Sequence, residues 1–238
     1  MARTGERAGV PIVLSTVAVN LKDFAPLASL PVQALGTNLP PDFAALMAEI
    51  ERMTRDPAIV RREEAITEPN SEAVRSIFMV HVLSPILHRL MRDPRVLDVA
   101  RQILGSEVYI HQSRANLKPG FKGKEFYWHS DFETWHVEDG MPHMRALSMS
   151  ISLTENTEFN GPLMFIPGSH KQGVLDAGHD TSTTSYPLWT INNDVIRKLV
   201  DRGGIVAPKG PAGSMILFHG CLVHASGSNL SPWNRVAV

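Results

Sequence analysis

Two histidines and an aspartate, at a spacing that suits metal coordination, are the residues of this chain most able to do chemistry. His129 and Asp131 are separated by one residue, and His224 follows roughly 95 residues later. Residues two apart on a β-strand share a face, so His129 and Asp131 can converge on one ion. Two histidines and one carboxylate on one face of an ion leave three positions open, as in non-haem Fe(II) oxygenases.

Arg235 adds a cation to this pattern, eleven residues after His224. An arginine there can hold the far carboxylate of a dicarboxylate cosubstrate through a bidentate ion pair. A keto acid then takes two of the open positions on the ion, and O₂ takes the last. The alternative for Arg235 alone is a surface arginine near a chain end, and His-x-Asp alone is a weak signal.

The composition restricts the classes of function. The 238 residues include 43% apolar residues, 23 Lys or Arg and 24 Asp or Glu, which gives a net charge of −1. A near-neutral chain has no general attraction for nucleic acids or anionic membranes, so we expect neither as a partner. Cys221 is the single cysteine. It excludes an internal disulfide framework and a cysteine-based zinc site, and it fits a cytoplasmic protein.

The order of the sequence patterns predicts one α+β domain, mainly β, behind an irregular arm. Residues 1–40 carry turn signals without a clear period. Their apolar stretch 8–19 raises the alternative of a signal peptide, but its cleavage pattern is poor. Residues 41–238 form the predicted domain, with a helical part at about 41–105 and a β core at about 106–238.

Capping residues and apolar spacing place the helices of the first part. Apolar residues at three-to-four spacing follow Pro40 and predict a helix that ends at Asp56. A loop is predicted around 67–70. Ser84 before Pro85 predicts a further helix start; Asp93-Pro94 breaks that helix, and a new helix follows and ends at Gly105.

Short apolar strands between Gly and Pro turns predict a sandwich or barrel in the β core. The predicted strands lie at 108–110, 146–153, 163–166 and 214–218. Along 146–153, apolar residues alternate with Ser148, Ser150 and Ser152. The serine face is either a solvent face or a face that makes room for a ligand.

The segment from Phe126 to Pro142, FYWHSDFETWHVEDGMP, resembles the signature of the ectoine hydroxylases. These belong to the phytanoyl-CoA dioxygenase-like group of Fe(II)/2-oxoglutarate-dependent enzymes. The resemblance covers about residue 40 to the end, and includes residues 74–78, 111–121, 145–148, 160–164 and 166–170. It implies a double-stranded β-helix (jelly-roll, cupin-like) core backed by N-terminal helices. It also implies a homodimer of the stress response that hydroxylates ectoine to 5-hydroxyectoine, a compatible solute, with release of succinate and CO₂.

Carried over by position, the resemblance assigns three groups of site residues. Fe(II) lies on the catalytic residues His129, Asp131 and His224. The cosubstrate 2-oxoglutarate lies near Lys118, Phe126, Ser226 and Arg235. Ectoine lies near Gln112, Asn116, Thr134, Trp135 and Ser150, where an indole face suits its delocalised cation. The alternatives are a solvated loop lysine for Lys118 and a core residue for Trp135.

Two stretches depart from the family pattern and leave alternatives open. Residues 218–224 read FHGCLVH, and residues 171–200 are short and divergent where the family covers its active site. His219 is discounted as a fourth ligand because it falls on the opposite strand face. The chain ends three residues after Arg235, so we expect a C-terminally truncated form. The alternatives are the same chemistry on another small amino-acid-like substrate, a non-catalytic solute- or iron-binding relic, and a cupin-like structural or sugar-binding module.

Overall fold

The computed structural model of the chain describes residues 12–13, 43–181 and 186–238. Its helices are α1 (Phe43–Arg55), α2 (Pro57–Val60), α3 (Val80–Leu83), α4 (Pro85–Met91), α5 (Pro94–Leu104), α6 (Asp131–Val137) and α7 (Asn193–Gly203), with a 3₁₀ helix at Ser169–Gln172. Its strands are β1 (Ile12–Val13), β2 (Ala65–Thr67), β3 (Val74–Phe78), β4 (Arg114–Lys118), β5 (Phe126–His129), β6 (Leu147–Ile151), β7 (Leu163–Phe165), β8 (Ala177–Asp180), β9 (Leu188–Ile191), β10 (Met215–His219), β11 (His224–Ser226) and β12 (Arg235–Ala237). The predicted arm at 1–40 lies outside the described residues, apart from β1.

Local capping chemistry fixes the helix ends that the sequence predicts. The Ser84 hydroxyl accepts the Leu87 amide at the start of α4, and the Asp93 carboxylate accepts the Arg95 amide at the start of α5. Gly105 ends α5 with a φ of 66°, a left-handed conformation that glycine adopts without strain. These predictions are confirmed, because caps act within a few residues and need no tertiary partner.

The predicted helical part contains a β-hairpin that the sequence reasoning missed. β2 pairs antiparallel with β3, and β3 pairs antiparallel with β4. These strands are only three and five residues long, so their own periodicity is weak and their partner strands decide their conformation. The strand predicted at 108–110 is wrong: this stretch pairs with no strand of the described residues, Tyr109 is exposed, and the next strand begins at Arg114.

The strands form two facing layers. β1 lies parallel to β10, and β10 pairs antiparallel with β6. Backbone hydrogen bonds from Ile151 to Val238 and from Leu153 to Val236 join β6 to the second sheet, whose order is β12-β4-β3-β2. The opposite layer has the order β5-β11-β7, and β8 and β9 form a separate hairpin.

Apolar clusters show where the helices pack. Phe165, Ile216, Phe218 and Leu222 form a buried cluster that joins residues of β7 and β10 from the two layers. α1 and α4 cover the β12-β4-β3 sheet, α5 covers β6 and β10, and α7 packs behind β5 and β9. Helices outside a β core match the predicted architecture. No helix in the described ranges is long and apolar enough to traverse a bilayer.

Candidate metal centre and active site

His129 and His224 are direct partners across adjacent antiparallel strands. His129 is the last residue of β5, His224 is the first of β11, and the two are paired in register. Their rings lie 4.2 Å apart between centroids, and both residues are buried. Two imidazoles at this separation can hold one ion between them.

The hydrogen bonds of both rings leave one nitrogen of each available to a metal. His129 Nδ1 lies 2.6 Å from the Tyr127 carbonyl oxygen, and His224 Nδ1 lies 2.8 Å from the Leu222 carbonyl oxygen. A carbonyl can only accept, so each Nδ1 carries the proton and each Nε2 presents a lone pair. Burial also lowers the pKa of His129 well below its usual range, which favours the neutral ring that binds metal.

Asp131 completes the group, but from a helix rather than from the strand that the sequence reasoning assumed. β5 ends at His129, Ser130 is the N-cap, and Asp131 is the first residue of α6. Its Oδ1 lies 3.8 Å from His224 Nε2. One ligand atom each from His129, Asp131 and His224 lies within 4.8 Å of the other two.

The surroundings of Asp131 keep its carboxylate charged and oriented. Burial raises the pKa of Asp131, but the electrostatic interactions with His224, Arg114 and His129 and the Ser148 hydrogen bond outweigh that effect and bring the pKa below its usual range. The Ser148 hydroxyl donates to Asp131 Oδ2 over 2.8 Å, which fixes the plane of the carboxylate. Two neutral imidazoles and one carboxylate fit a divalent transition metal with open coordination positions.

Lys118 is buried, with only 2% of its surface exposed, so the solvated loop lysine is ruled out. Its Nζ lies within hydrogen-bond distance of the carbonyl oxygens of Lys124 and Gly227 and of the Ser226 hydroxyl, at 3.0, 2.6 and 2.7 Å. None of these acceptors is charged. Burial, together with the nearby Arg235 and other cations, lowers the pKa of Lys118 to about 6.

Arg235 lies directly across from Lys118, on β12. It is also buried, and its Nε has no hydrogen-bond partner among the described residues. Burial lowers the pKa of Arg235 to about 10. The Phe126 ring centroid lies 5.5 Å from Lys118 Nζ. The four residues predicted to bind a cosubstrate therefore lie together, with Ser226 two residues after His224.

The residues predicted to contact the substrate occupy different environments in the structure. Thr134 lies one helical turn after Asp131, and Ser150 shares a strand face with Ser148. Asn116 accepts a hydrogen bond from the buried Ser76, and Gln112 is exposed before β4.

Trp135 is only 8% exposed and packs with Phe132 and Cys221. This placement favours the core alternative for its indole over an open platform.

Arg114 and Tyr186 belong to the site but were not singled out from the sequence. Arg114 Nη2 lies 3.9 Å from Asp131 Oδ1, and Arg114 Nη1 lies 3.2 Å from the Tyr186 hydroxyl. The Tyr186 ring also contacts Phe126, with centroids 6.2 Å apart. Strand alternation supplies a signal for Arg114, because it lies four residues before Lys118 and so on the same face. Nothing local marks Tyr186, which reaches the site from the segment before β9.

His219 lies outside the metal group, as expected. Its Nδ1 accepts the Cys221 amide, and its ring lies 5.4 Å from that of His170 between centroids. It therefore has its own partners away from the three ligand atoms.

Comparison with known proteins decides the family. Residues 36–237 match the phytanoyl-CoA dioxygenase (PhyH) family. The chain belongs to this family. An ectoine dioxygenase of Bordetella bronchiseptica is 63% identical over 203 residues, which cover 83% of this chain and 66% of that protein. An ectoine dioxygenase of Sphingopyxis alaskensis is 50% identical over 200 residues, which cover 82% of this chain and 65% of that protein.

The PhyH family fold is also seen in a solved structure. The crystal structure of EctD from S. alaskensis with 2-oxoglutarate and 5-hydroxyectoine has a TM-score of 0.74 and 50% sequence identity. The match covers 84% of this chain and 66% of that chain. It confirms the predicted fold class, a mainly β core of cupin type with helices. The chain spans about 66% of the length of the first of these relatives.

Proposed function

We propose that this chain is an Fe(II)/2-oxoglutarate-dependent dioxygenase that hydroxylates ectoine to 5-hydroxyectoine and releases succinate and CO₂. The observation that carries the proposal is that the metal group and the predicted cosubstrate site share two strands, β5 and β11. His129 and His224 lie on these strands in the metal group, and Phe126 and Ser226 lie on the same strands beside two buried cations. A metal chelator with a second carboxylate fits this junction.

Charge counting favours a dianion as the cosubstrate. Lys118 donates only to uncharged acceptors, and no described carboxylate forms an ion pair with Arg235. Arg75, the third buried cation nearby, is neutralised by its ion pair with Glu68. A buried Arg235 charge without a counterion is costly, and the far carboxylate of a metal-chelating dicarboxylate such as 2-oxoglutarate neutralises it, while Lys118 adds a hydrogen bond.

The residues fit iron by their chemistry. When bound, Fe(II) supplies the O₂ activation and the oxidation that the protein's own side chains cannot perform. His129, His224 and Asp131 hold the ion through Nε2, Nε2 and a carboxylate oxygen and leave one side open. Arg235 and Ser226 orient the keto acid by its far carboxylate, and Phe126 covers it. Residues on α6 and β6 then position the substrate next to the open side.

Ectoine is the substrate supported by the relatives, which are named ectoine dioxygenases, and one of which is solved with 5-hydroxyectoine and 2-oxoglutarate. The described residues supply matching chemistry. Arg114 is a cation beside the metal group, able to bind a carboxylate, and Thr134 and Ser150 add hydroxyls from the helix that begins at Asp131 and from the strand of Ser148. Gln112 and Asn116 are proposed as further substrate contacts, whereas the buried Trp135 serves as a core residue that packs with Phe132 and Cys221.

We further propose a homodimer that works in the cytoplasm as part of a stress response. The resemblance supports the dimer and the stress role. The single buried cysteine, Cys221, supports a reducing compartment.

The decisive experiment is anaerobic reconstitution with Fe(II) and 2-oxoglutarate, followed by exposure to air, with and without ectoine. We expect one oxygen atom added to ectoine and a matching amount of succinate, read by mass spectrometry. Succinate without hydroxyectoine would keep the iron chemistry and point to another small amino-acid-like substrate. Bound iron without either product would point to a non-catalytic binding protein.

A further inference from the structure

A buried ion pair outside the metal group forms hydrogen bonds to the backbone just before β5. Arg75 and Glu68 are 1% and 2% exposed, and Arg75 Nη1 lies 2.9 Å from Glu68 Oε2. Arg75 Nη2 donates to the Glu125 carbonyl oxygen over 2.5 Å, and Glu68 Oε1 accepts the Lys124 amide over 3.1 Å. The pair therefore fixes two successive residues immediately before the strand that carries Phe126.

Arg75 also contacts the ring of Phe126 directly. The guanidinium carbon lies 3.8 Å from the ring centroid, a stacking distance for a planar cation on an aromatic face. One side chain thus holds both the backbone before β5 and the first side chain of β5. A buried ion pair is weak evidence for stability, but these bonds specify geometry.

We propose that Arg75 is a positioning residue of the 2-oxoglutarate site, acting through Phe126. It sets the plane of the ring that covers the cosubstrate, and Glu68 cancels its charge so that Lys118 and Arg235 remain the cations offered to the dianion. The inference rests on the proposed function, because it takes Phe126 as a contact of 2-oxoglutarate. It predicts that changes at Arg75 weaken 2-oxoglutarate binding while ectoine binding is kept.

Two variants separate this role from a general loss of stability. Arg75→Lys keeps the charge opposite Glu68 but loses the planar stack and the forked geometry. The double variant Glu68→Gln/Arg75→Met removes both charges, so neither is left buried and unpaired. Its matched control is the double variant Glu64→Gln/Arg62→Met. This variant removes a more exposed ion pair just before β2, in which Arg62 Nη2 and Glu64 Oε1 lie 2.9 Å apart.

Binding, kinetics and backbone exchange provide the readouts. Calorimetry gives the Kd for 2-oxoglutarate on the anaerobic Fe(II)-loaded chain, kinetics gives KM for both substrates, and amide hydrogen exchange follows residues 124–129 in the metal-free chain. In the Arg75 variants we expect both constants for 2-oxoglutarate to rise about tenfold, with KM for ectoine changed less than about twofold. Exchange at residues 124–129 should become faster, and the control should match the wild type.

Three results would overturn the inference. The first is an unchanged Kd in folded variants. The second is an equal loss of affinity for both substrates together with a lowered Tm, because that pattern is merely structural. The third is a wild-type chain that does not bind 2-oxoglutarate, which would reject the proposed function as well. If Arg75→Lys does not fold, the charge-free double variant supplies the same measurements.

Discussion

Ser148 Oγ donates a hydrogen bond of 2.8 Å to Asp131 Oδ2, and so links β6 to the first residue of α6. Asp131 is held by this bond on one oxygen and faces His224 Nε2 with the other. The carboxylate therefore depends on a residue 17 positions away for its orientation. Groups that orient a metal ligand in this way tune metal affinity without touching the ion.

This bond predicts different effects for two serines on the same strand face. Ser148→Ala should weaken Fe(II) binding by about 10–100-fold, since Asp131 loses its partner. Ser150→Ala should leave Fe(II) affinity unchanged and raise KM for ectoine, because Ser150 is assigned to the substrate. Anaerobic Fe(II) titration and steady-state kinetics on both variants test the assignment, and identical behaviour of the two would contradict it.

Removal of one histidine ligand should abolish function. His129→Ala leaves two ligands, and we expect Fe(II) affinity to fall more than about 100-fold and turnover to vanish. His88→Ala, at an exposed site on α4, is the control and should behave as the wild type. Metal content after dialysis and succinate release give the answer; activity that survived in His129→Ala would mean that the ligand assignment is wrong.

Arg235 should discriminate between keto acids by their far carboxylate. Arg235→Met should weaken 2-oxoglutarate binding by about 10–100-fold, which corresponds to the loss of one hydrogen bond between charged groups. Binding of 2-oxobutyrate, which keeps the chelating end but has no second carboxylate, should change little. Calorimetry with both keto acids measures the effect, and equal losses for the two would place Arg235 away from the far carboxylate.

Binding of 2-oxoglutarate should be coupled to proton uptake at Lys118. With a pKa of about 6, this amine is mostly neutral at about pH 7.5 in the free protein, and a bound dianion favours its charged form. We expect uptake of up to about one proton, visible as a dependence of the binding enthalpy on buffer ionisation. Lys118→Met should remove that dependence, and a wild type without it would refute the coupling.

His170 should make the metal-free chain less stable in acid. Burial lowers the pKa of His170 to about 4, and neither ring nitrogen has a hydrogen-bond partner among the described residues. The unfolded state therefore binds the proton first, and stability falls as pH decreases from about 6.5 to about 4.

The size of this acid effect should be roughly 1–2 kcal/mol after allowance for solvent screening. His170→Phe should reduce the decrease by that amount in urea unfolding at about pH 7 and about pH 4.5. An identical decrease in both proteins would assign the acid effect to other groups.

The sequence predicted the parts of this protein whose physics is local. Helix ends followed from Ser84, Asp93 and Gly105, because a cap needs only neighbours a few residues away. Alternation along Leu147–Ile151 gave both the strand and its serine face. The β2–β3 hairpin was missed because its short strands gain their conformation from β4, which is distant in sequence.

The sequence alone determined the chemistry of the donors: two imidazoles, one carboxylate, and the Lys118 and Arg235 cations. Tertiary structure decided how they meet. His129 faces His224 because β5 and β11 pair in that register, Asp131 enters from the first turn of α6, and Arg75 reaches Phe126 from a separate hairpin. Register and burial depend on contacts between residues far apart in the chain, and these are set by packing of the whole core rather than by local spacing.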